Sequence, residues 1–234
     1  MNSRHRVNHQ VKSHQVKSHQ VKSLNLKLIT LSAGLLLSAT SQANNWLVSV
    51  DLGKSDADTA NLTAQLPSGK VTHMSDSDTS WSLGIGYQLD NGLTLEAGYI
   101  DLGDGDVTIT GDSLSPTQYH HSVADISAVL GDGFTFGARY QFWQQENIST
   151  SVSLGLIAWE GYITSNITSN ISSNISSTDQ AQPITTKREG NDIYYGLEGH
   201  YQLTKQWQLS VGFTRYALEA NDVDVIYLAG AYRF

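Results

Sequence analysis

Three groups of residues in this chain have the types that could do chemistry. His120, His121, Ser122 and Asp125 stand together in a polar stretch, where a histidine could act as base and a serine as nucleophile in a lipid-modifying enzyme. No acid is fixed by spacing to orient either histidine, and such residues are common in solvated loops. Asp104, Asp106 and Asp112 could hold Ca²⁺, yet the spacing of an EF-hand loop is absent. The third group is Glu96, Arg139, Glu198 and His200, which all fall on the polar face of segments that alternate with period two.

The segments that must position this third group begin with the stretch from Ser80 to Leu102. Trp81, Leu83, Ile85, Tyr87 and Leu89 alternate with Ser82, Gly84, Gly86 and Gln88, Asp90-Asn91-Gly92 turns the chain, and Leu93, Leu95, Ala97 and Tyr99 then alternate with Thr94, Glu96 and Gly98. The same pattern recurs. Trp46, Val48, Val50 and Leu52 mark a first strand, with a long polar connection over 54–78 before the hairpin. A second long connection follows Gly103 and leads to a strand over Gly133–Phe142, with Arg139 on its polar face. The run from Ser122 to Leu130 fits either a strand extension or a short loop helix. A brief turn at Trp143 to Asn147 precedes a strand from Ile148 to Ala158. Trp159 there falls on the inward parity, so that it either plugs the rim or marks a register shift.

The third long connection, 161–190, is built from Ser/Thr-Ser-Asn-Ile tetrads. Their period of four would place Ile163, Ile167, Ile171 and Ile175 on one face of a hairpin arm, and disorder is the other reading. Ile193, Tyr195, Leu197, Tyr201 and Leu203 oppose Asp192, Tyr194, Glu198 and His200 in the sixth strand. Trp207, Leu209, Val211 and Phe213 mark the seventh, and Ile226 to Phe234 the last.

The result is eight strands of membrane-spanning length with connections that alternate long and tight, the pattern of an eight-stranded antiparallel transmembrane up-and-down β-barrel with short periplasmic turns and long extracellular loops. Pro67, Pro116 and Pro183 all fall in the long connections, where no ladder hydrogen bond is lost. The outward set has no Asp, Glu or Lys near a strand centre, and its one clear charge, Arg215, sits near the loop end, where it could meet lipopolysaccharide phosphates. Trp46, Trp143, Trp207 and Phe234 gather at the turn side, and Trp81, Tyr99, Phe134 and Tyr195 at the loop side, as two lipid-interface girdles.

The amino terminus points to export. Residues 1–43 hold six basic residues and no acid, and they contain three copies of His-Gln-Val-Lys-Ser, from His9, His14 and His19. An apolar run from Leu28 to Leu37, too short to span a bilayer, leads to Ser41-Gln42-Ala43, so residues 1–43 read as a signal peptide and 44–234 as the barrel domain. The remainder carries 8 basic against 22 acidic residues, which argues against a nucleic-acid partner. Cysteine is absent, so no disulfide framework enters.

Gly86-Tyr87-Gln88-Leu89, Leu95-Glu96-Ala97-Gly98-Tyr99 and the closing Ala231-Tyr232-Arg233-Phe234, together with the eight-strand spacing, resemble the transmembrane domain of the OmpA family over residues 45–234, without its peptidoglycan-binding domain. The resemblance implies a Gram-negative outer-membrane location, and a terminal strand, with Tyr232 and Phe234, that the assembly machinery reads. Ala229 departs from the Gly expected there. It also implies an interior ion pair, Glu96 with Arg139, that blocks or gates the lumen. The family's second interior acid falls on His200 and its basic partner on Ser210, leaving Glu198 to Arg139, His200 or water. The expected function is a non-enzymatic envelope protein that meets lipid, lipopolysaccharide and surface ligands through its loops. A small ion pore gated by Glu96 and Arg139 is the alternative, and a lipid-modifying enzyme the third reading. No cofactor or metal is expected.

Overall fold

The structure, a computed structural model, describes residues 45–59, 70–110, 130–165, 184–219 and 221–234. Ten strands account for most of them: β1 (Trp46–Ala57), β2 (Lys70–Ser75), β3 (Ser77–Gln88), β4 (Leu93–Asp101), β5 (Asp106–Thr110), β6 (Asp132–Gln145), β7 (Ile148–Ser165), β8 (Ile184–Gln202), β9 (Trp207–Ala217) and β10 (Asp222–Arg233). Eight close into a barrel in the order β1-β10-β9-β8-β7-β6-β4-β3, every neighbour antiparallel. Closure lets each strand find a partner on both sides, so no edge is left to lipid.

Three tight turns share one end of the barrel with the start of β1 and the end of β10. Leu89 N–H donates to Leu93 O at 2.7 Å, and Gly92 takes φ of 81°, a left-handed conformation that glycine adopts without steric cost. Glu146 takes the two-residue turn between β6 and β7 at φ 50°. Thr204 Oγ1 accepts the N–H groups of Gln206 (3.2 Å) and Trp207 (3.0 Å) in the third turn. Closing the cylinder, Phe234 N–H donates to Trp46 O at 3.1 Å.

The outer wall is apolar where it must be. Leu52, Phe134, Leu154, Ile226 and Leu228 are all more than 60% exposed, as only a lipid-facing surface tolerates. Outward positions between the two aromatic belts carry no charge on any of the eight strands. The belts themselves are ring contacts between strands: Trp46 on Tyr87 (5.2 Å) and Trp207 on Tyr232 (5.0 Å) at the turn end, Trp81 on Tyr99 (5.6 Å) and Tyr99 on Phe134 (5.4 Å) at the loop end.

Several boundaries differ from the sequence expectation. The first two long connections are not wholly irregular, because β2 and β5 lie within them and pair with each other in a separate two-stranded sheet. The third connection is shorter than 161–190, because β7 and β8 continue as a paired ribbon to Ser165 and from Ile184. Lys187 stabilises that ribbon across the strands through Glu160 at 2.9 Å. Longer strands also place more charge at the outer rim than Arg215 alone. Asp224 takes both Nε and Nη2 of Arg215 at 2.6 Å, Asp222 is 3.7 Å from Nη1, and Lys54, Asp56, Lys187 and Glu189 sit at the same end. These charges lie above the loop-side belt, where the cost of facing lipid falls toward zero.

In β6 a bulge skips one residue, since Gln141 pairs with Ser151 and Trp143 with Thr150. Phe142 and Trp143 therefore both face outward, which strict alternation forbids.

Candidate functional site

The candidate site is the lumen, and β8 lays out its layers. Climbing from the turn end, its inward positions are Gln202, His200, Glu198, Gly196, Tyr194 and Asp192, one residue in two.

At the centre stands Arg139 on β6. Its Nη2 lies 3.1 Å from Glu96 Oε1 on β4, and its Nε lies 3.0 Å from Glu198 Oε1 on β8. The second contact is an ion pair whose angle is too poor for a hydrogen bond. Glu198 is 3% exposed, so its charge has little help from water and depends on the guanidinium. Asp51 on β1 adds a third carboxylate, which accepts a hydrogen bond from the hydroxyl of Ser82. Among the described residues at this level, one cation thus stands among three acids and pairs with two of them. A cavity of about 80 Å³ runs beside them, lined in part by Ser49, Asp51, Ser82, Gly84, Glu96 and Arg139. It has room for a few waters and no more.

Below this layer, His200 is locked between hydroxyls. Its Nε2 is 2.6 Å from Ser151 Oγ, and its Nδ1 is 2.7 Å from Ser210 Oγ and 2.8 Å from Gln208 Nε2. Glu198 Oε2 is 3.9 Å from Nδ1. Above it, Tyr194 and Tyr216 are buried with rings 5.6 Å apart, and Thr214 Oγ1 donates to the Tyr227 hydroxyl at 3.5 Å.

Tyr194 fits only because Gly155 has no side chain. A Cβ at Gly155 would stand 2.5 Å from Tyr194 Cε1 and 2.6 Å from Phe136 O.

The extracellular mouth is filled by apolar side chains. Leu102, Ile157 and Val223 are fully buried, and Ala57, Ile100, Leu130, Trp159, Leu218 and Val225 are at most 5% exposed. All lie at the loop ends of the strands or just beyond, and those within strands (Ala57, Ile100, Ile157, Trp159, Val223 and Val225) point inward. Trp159 belongs to this seal: β7 keeps its register through Trp159 paired with Gly190, and the indole Nε1 donates to Asp192 Oδ2 at 2.6 Å. The sequence reading noted inward Trp159 but missed the seal. Its signal was the run of inward-parity apolar residues at one end, Ile100, Ile157, Trp159, Val223 and Val225.

Several other residues singled out from sequence can be placed. Glu96, Arg139 and Glu198 come together, with His200 adjoining through Glu198. Trp46, Trp81, Trp143 and Trp207 are exposed on the outer face, and Tyr232 packs on Phe234 at 5.2 Å at the turn end. His120, His121, Ser122, Asp125 and Asp112 lie outside the described residues, as do residues 1–43, all three prolines and most of the tetrads. Among the described residues no group of three or more His, Cys, Asp or Glu is arranged to hold a metal ion.

A closed antiparallel cylinder with a charge-free apolar wall, two aromatic belts and a polar lumen defines a transmembrane β-barrel of the outer-membrane kind. The family comparison agrees: the model of the outer membrane protein beta-barrel domain matches residues 24–234, and the chain belongs to that family, which resides in the outer membrane. A comparison with curated proteins gives no match. Among solved structures, the chain is similar to the N-terminal β-barrel domain of Pseudomonas aeruginosa OprF, with 16% identity, 82% of this chain and 100% of that chain covered, and a TM-score of 0.47. Ail of Yersinia pestis, in complex with sucrose octasulfate, has 14% identity over 81% of this chain and 99% of its own, with a TM-score of 0.44. The outer membrane protease OmpT from Escherichia coli has 12% identity over 82% and 98%, with a TM-score of 0.46.

Proposed function

We propose that this chain is a non-enzymatic outer-membrane barrel of OmpA-like type that reinforces the envelope, keeps its lumen closed to solutes and offers its extracellular loops as a contact surface. The observation that carries the reading is the double closure: a buried apolar seal at the mouth above an Arg139 bridge to Glu96 and Glu198. An ion crossing the seal would shed its water with little to replace it, because the buried hydroxyls at that end are few and that of Ser55 is already held by the Asp78 and Leu102 carbonyls. Purified protein in planar bilayers is therefore expected to give no stepwise conductance, and Arg139→Ala none either, because the seal remains. Steady conductance steps from the intact protein would overturn the reading in favour of the pore gated by Glu96 and Arg139.

Lipid and lipopolysaccharide are the partners of the wall, and the outer-membrane assembly machinery is the partner of the last strand, with Tyr232 and Phe234 as its signal. Residues 1–43 act as the export signal, and protein extracted from membranes is expected to begin at Asn44. The loops bind a surface ligand. Capture on host or envelope material by the intact barrel, and its loss when residues 166–183 are deleted, supports that role. Unchanged mass spectra of lipopolysaccharide on expression support the absence of lipid-modifying activity, and a new lipid species would refute it.

A further inference from the structure

We propose that His200 is a proton-operated latch on Glu198: when the imidazole takes up a proton, the Glu198 carboxylate swings from Arg139 to His200, and Arg139 passes wholly to Glu96. The geometry behind this lies around one atom, Nδ1. In the arrangement seen here its neighbours at hydrogen-bond distance are the Ser210 hydroxyl and the Gln208 amide, while Glu198 Oε2 waits at 3.9 Å. Ser151 at 2.6 Å holds Nε2 and fixes the ring plane. A neutral imidazole is satisfied by these neutral partners. A protonated one must donate from both nitrogens: Gln208 Nε2, itself a donor, cannot receive from Nδ1, and the Ser210 hydroxyl at 2.7 Å can accept but carries no charge to offset the imidazolium.

The nearest acceptor with a charge is Glu198. It already turns Oε1 to Arg139 and Oε2 toward His200, so about 1 Å of movement would convert the 3.9 Å separation into a charge-assisted bond. The charges favour the exchange. Arg139 now serves two carboxylates with one guanidinium, whereas the protonated state gives two pairs, Glu96 with Arg139 and Glu198 with His200. Against it stand the burial of a new charge on a side chain that is 5% exposed and the repulsion between the imidazolium and Arg139, with Glu198 lying between the two cations.

The other charged or ionisable groups that face the lumen are Asp51 on β1, Tyr194 on β8, Tyr216 on β9, and Tyr227 and Arg233 on β10, with Asp78 on β3 and Asp192 on β8 farther up at the loop end. From the strands that flank β8, only hydroxyls and an amide reach His200: Ser151 from β7, Ser210 and Gln208 from β9. No acid other than Glu198 is therefore placed to take its proton-bearing nitrogen.

The test is nitrogen-15 NMR of the full barrel in lipid nanodiscs, titrated from pH 8 down to about 3, because a buried imidazole next to a guanidinium takes up its proton only at acid pH. The His200 ring signals and the Arg139 Nε signal are expected to shift together with one midpoint. In His200→Gln the Arg139 shift is lost. In Glu198→Gln, His200 still titrates but Arg139 no longer follows. An Arg139 signal that stays still while His200 titrates, a His200 that never titrates, or an Arg139 shift that persists in His200→Gln overturns the proposal. Should His200→Gln fail to fold, Ser210→Ala replaces it. That variant keeps both partners of the latch and must retain the coupled shift, and loss of coupling there counts against the latch.

Discussion

Removing Arg139 tests whether the centre of the lumen is held by charge. In Arg139→Ala, Glu198 (3% exposed) and Glu96 (17%) lose the same cation at once. Breaking a buried pair from one side costs about 3 to 5 kcal/mol, and the loss of two contacts places this variant near the upper end, about 5 kcal/mol. The deeper Glu198 bears most of it, because the cavity beside Glu96 can admit water to that carboxylate. With a urea slope of about 2 kcal/mol per molar, the unfolding midpoint falls by about 2 to 3 M. Tryptophan fluorescence in vesicles reads that midpoint, and the heat-dependent change in gel mobility reads the folded fraction. The control is Arg139→Met with Glu96→Gln and Glu198→Gln, which removes the charges together and should recover most of the loss, since neutral replacement of a buried network is often tolerated. A single variant that loses less than about 1 kcal/mol, or a triple variant no better than the single, refutes the argument.

Other perturbations separate packing from charge. Gly155→Val forces a side chain against Tyr194 and the Phe136 carbonyl, and because one of those neighbours is backbone the barrel is expected to lose about 1 to 3 kcal/mol in the same urea assay. Ile157→Ala empties part of the extracellular seal and is expected to cost about 2 to 5 kcal/mol; a neutral result would mean that the mouth is not packed. Lys187, held by Glu160 and Glu189, has its pKa raised above the ordinary lysine value. A raised lysine contributes its stability fully below the unfolded pKa of about 10.4 and loses it only as pH rises through the folded one. The stability difference between wild type and Lys187→Ala should therefore be constant from pH 6 to 9, and a step in that window in calorimetry would contradict the sign.

The eight barrel strands were legible because lipid enforces alternation wherever it touches the chain, and every outward position from Trp46 to Leu52 or from Trp207 to Phe213 obeys it. Above the loop-side belt that constraint ends. Ala57, Ser165 and Ile184 still belong to strands, but nothing in their composition says so, and the β2–β5 pairing joins two loops separated by the whole of β3 and β4. The bulge at Phe142 was hidden for a different reason: both residues it turns outward are aromatic and suit a belt in either register.

The lumen was legible in part. Parity places Arg139 inside the barrel, yet which acids it meets depends on strand order and on what stands between. β4 is the direct neighbour of β6, so Glu96 follows from adjacency, whereas Glu198 lies on β8 with β7 interposed. Arg139 reaches across because the inward residues of β7 at that level are Ser151, Ser153 and Gly155, none long enough to block it. The same small residues admit Tyr194 against Gly155 and let Ser151 hold His200. A strand whose inward face is stripped of bulk, flanked by strands that carry Arg139, Glu198, His200 and Tyr194, marks the side of the lumen toward which the long side chains lean. That contrast can be read from sequence once the strand order is known, and it predicts that enlarging Ser153 to Leu would separate Arg139 from Glu198 while leaving its contact with Glu96 in place.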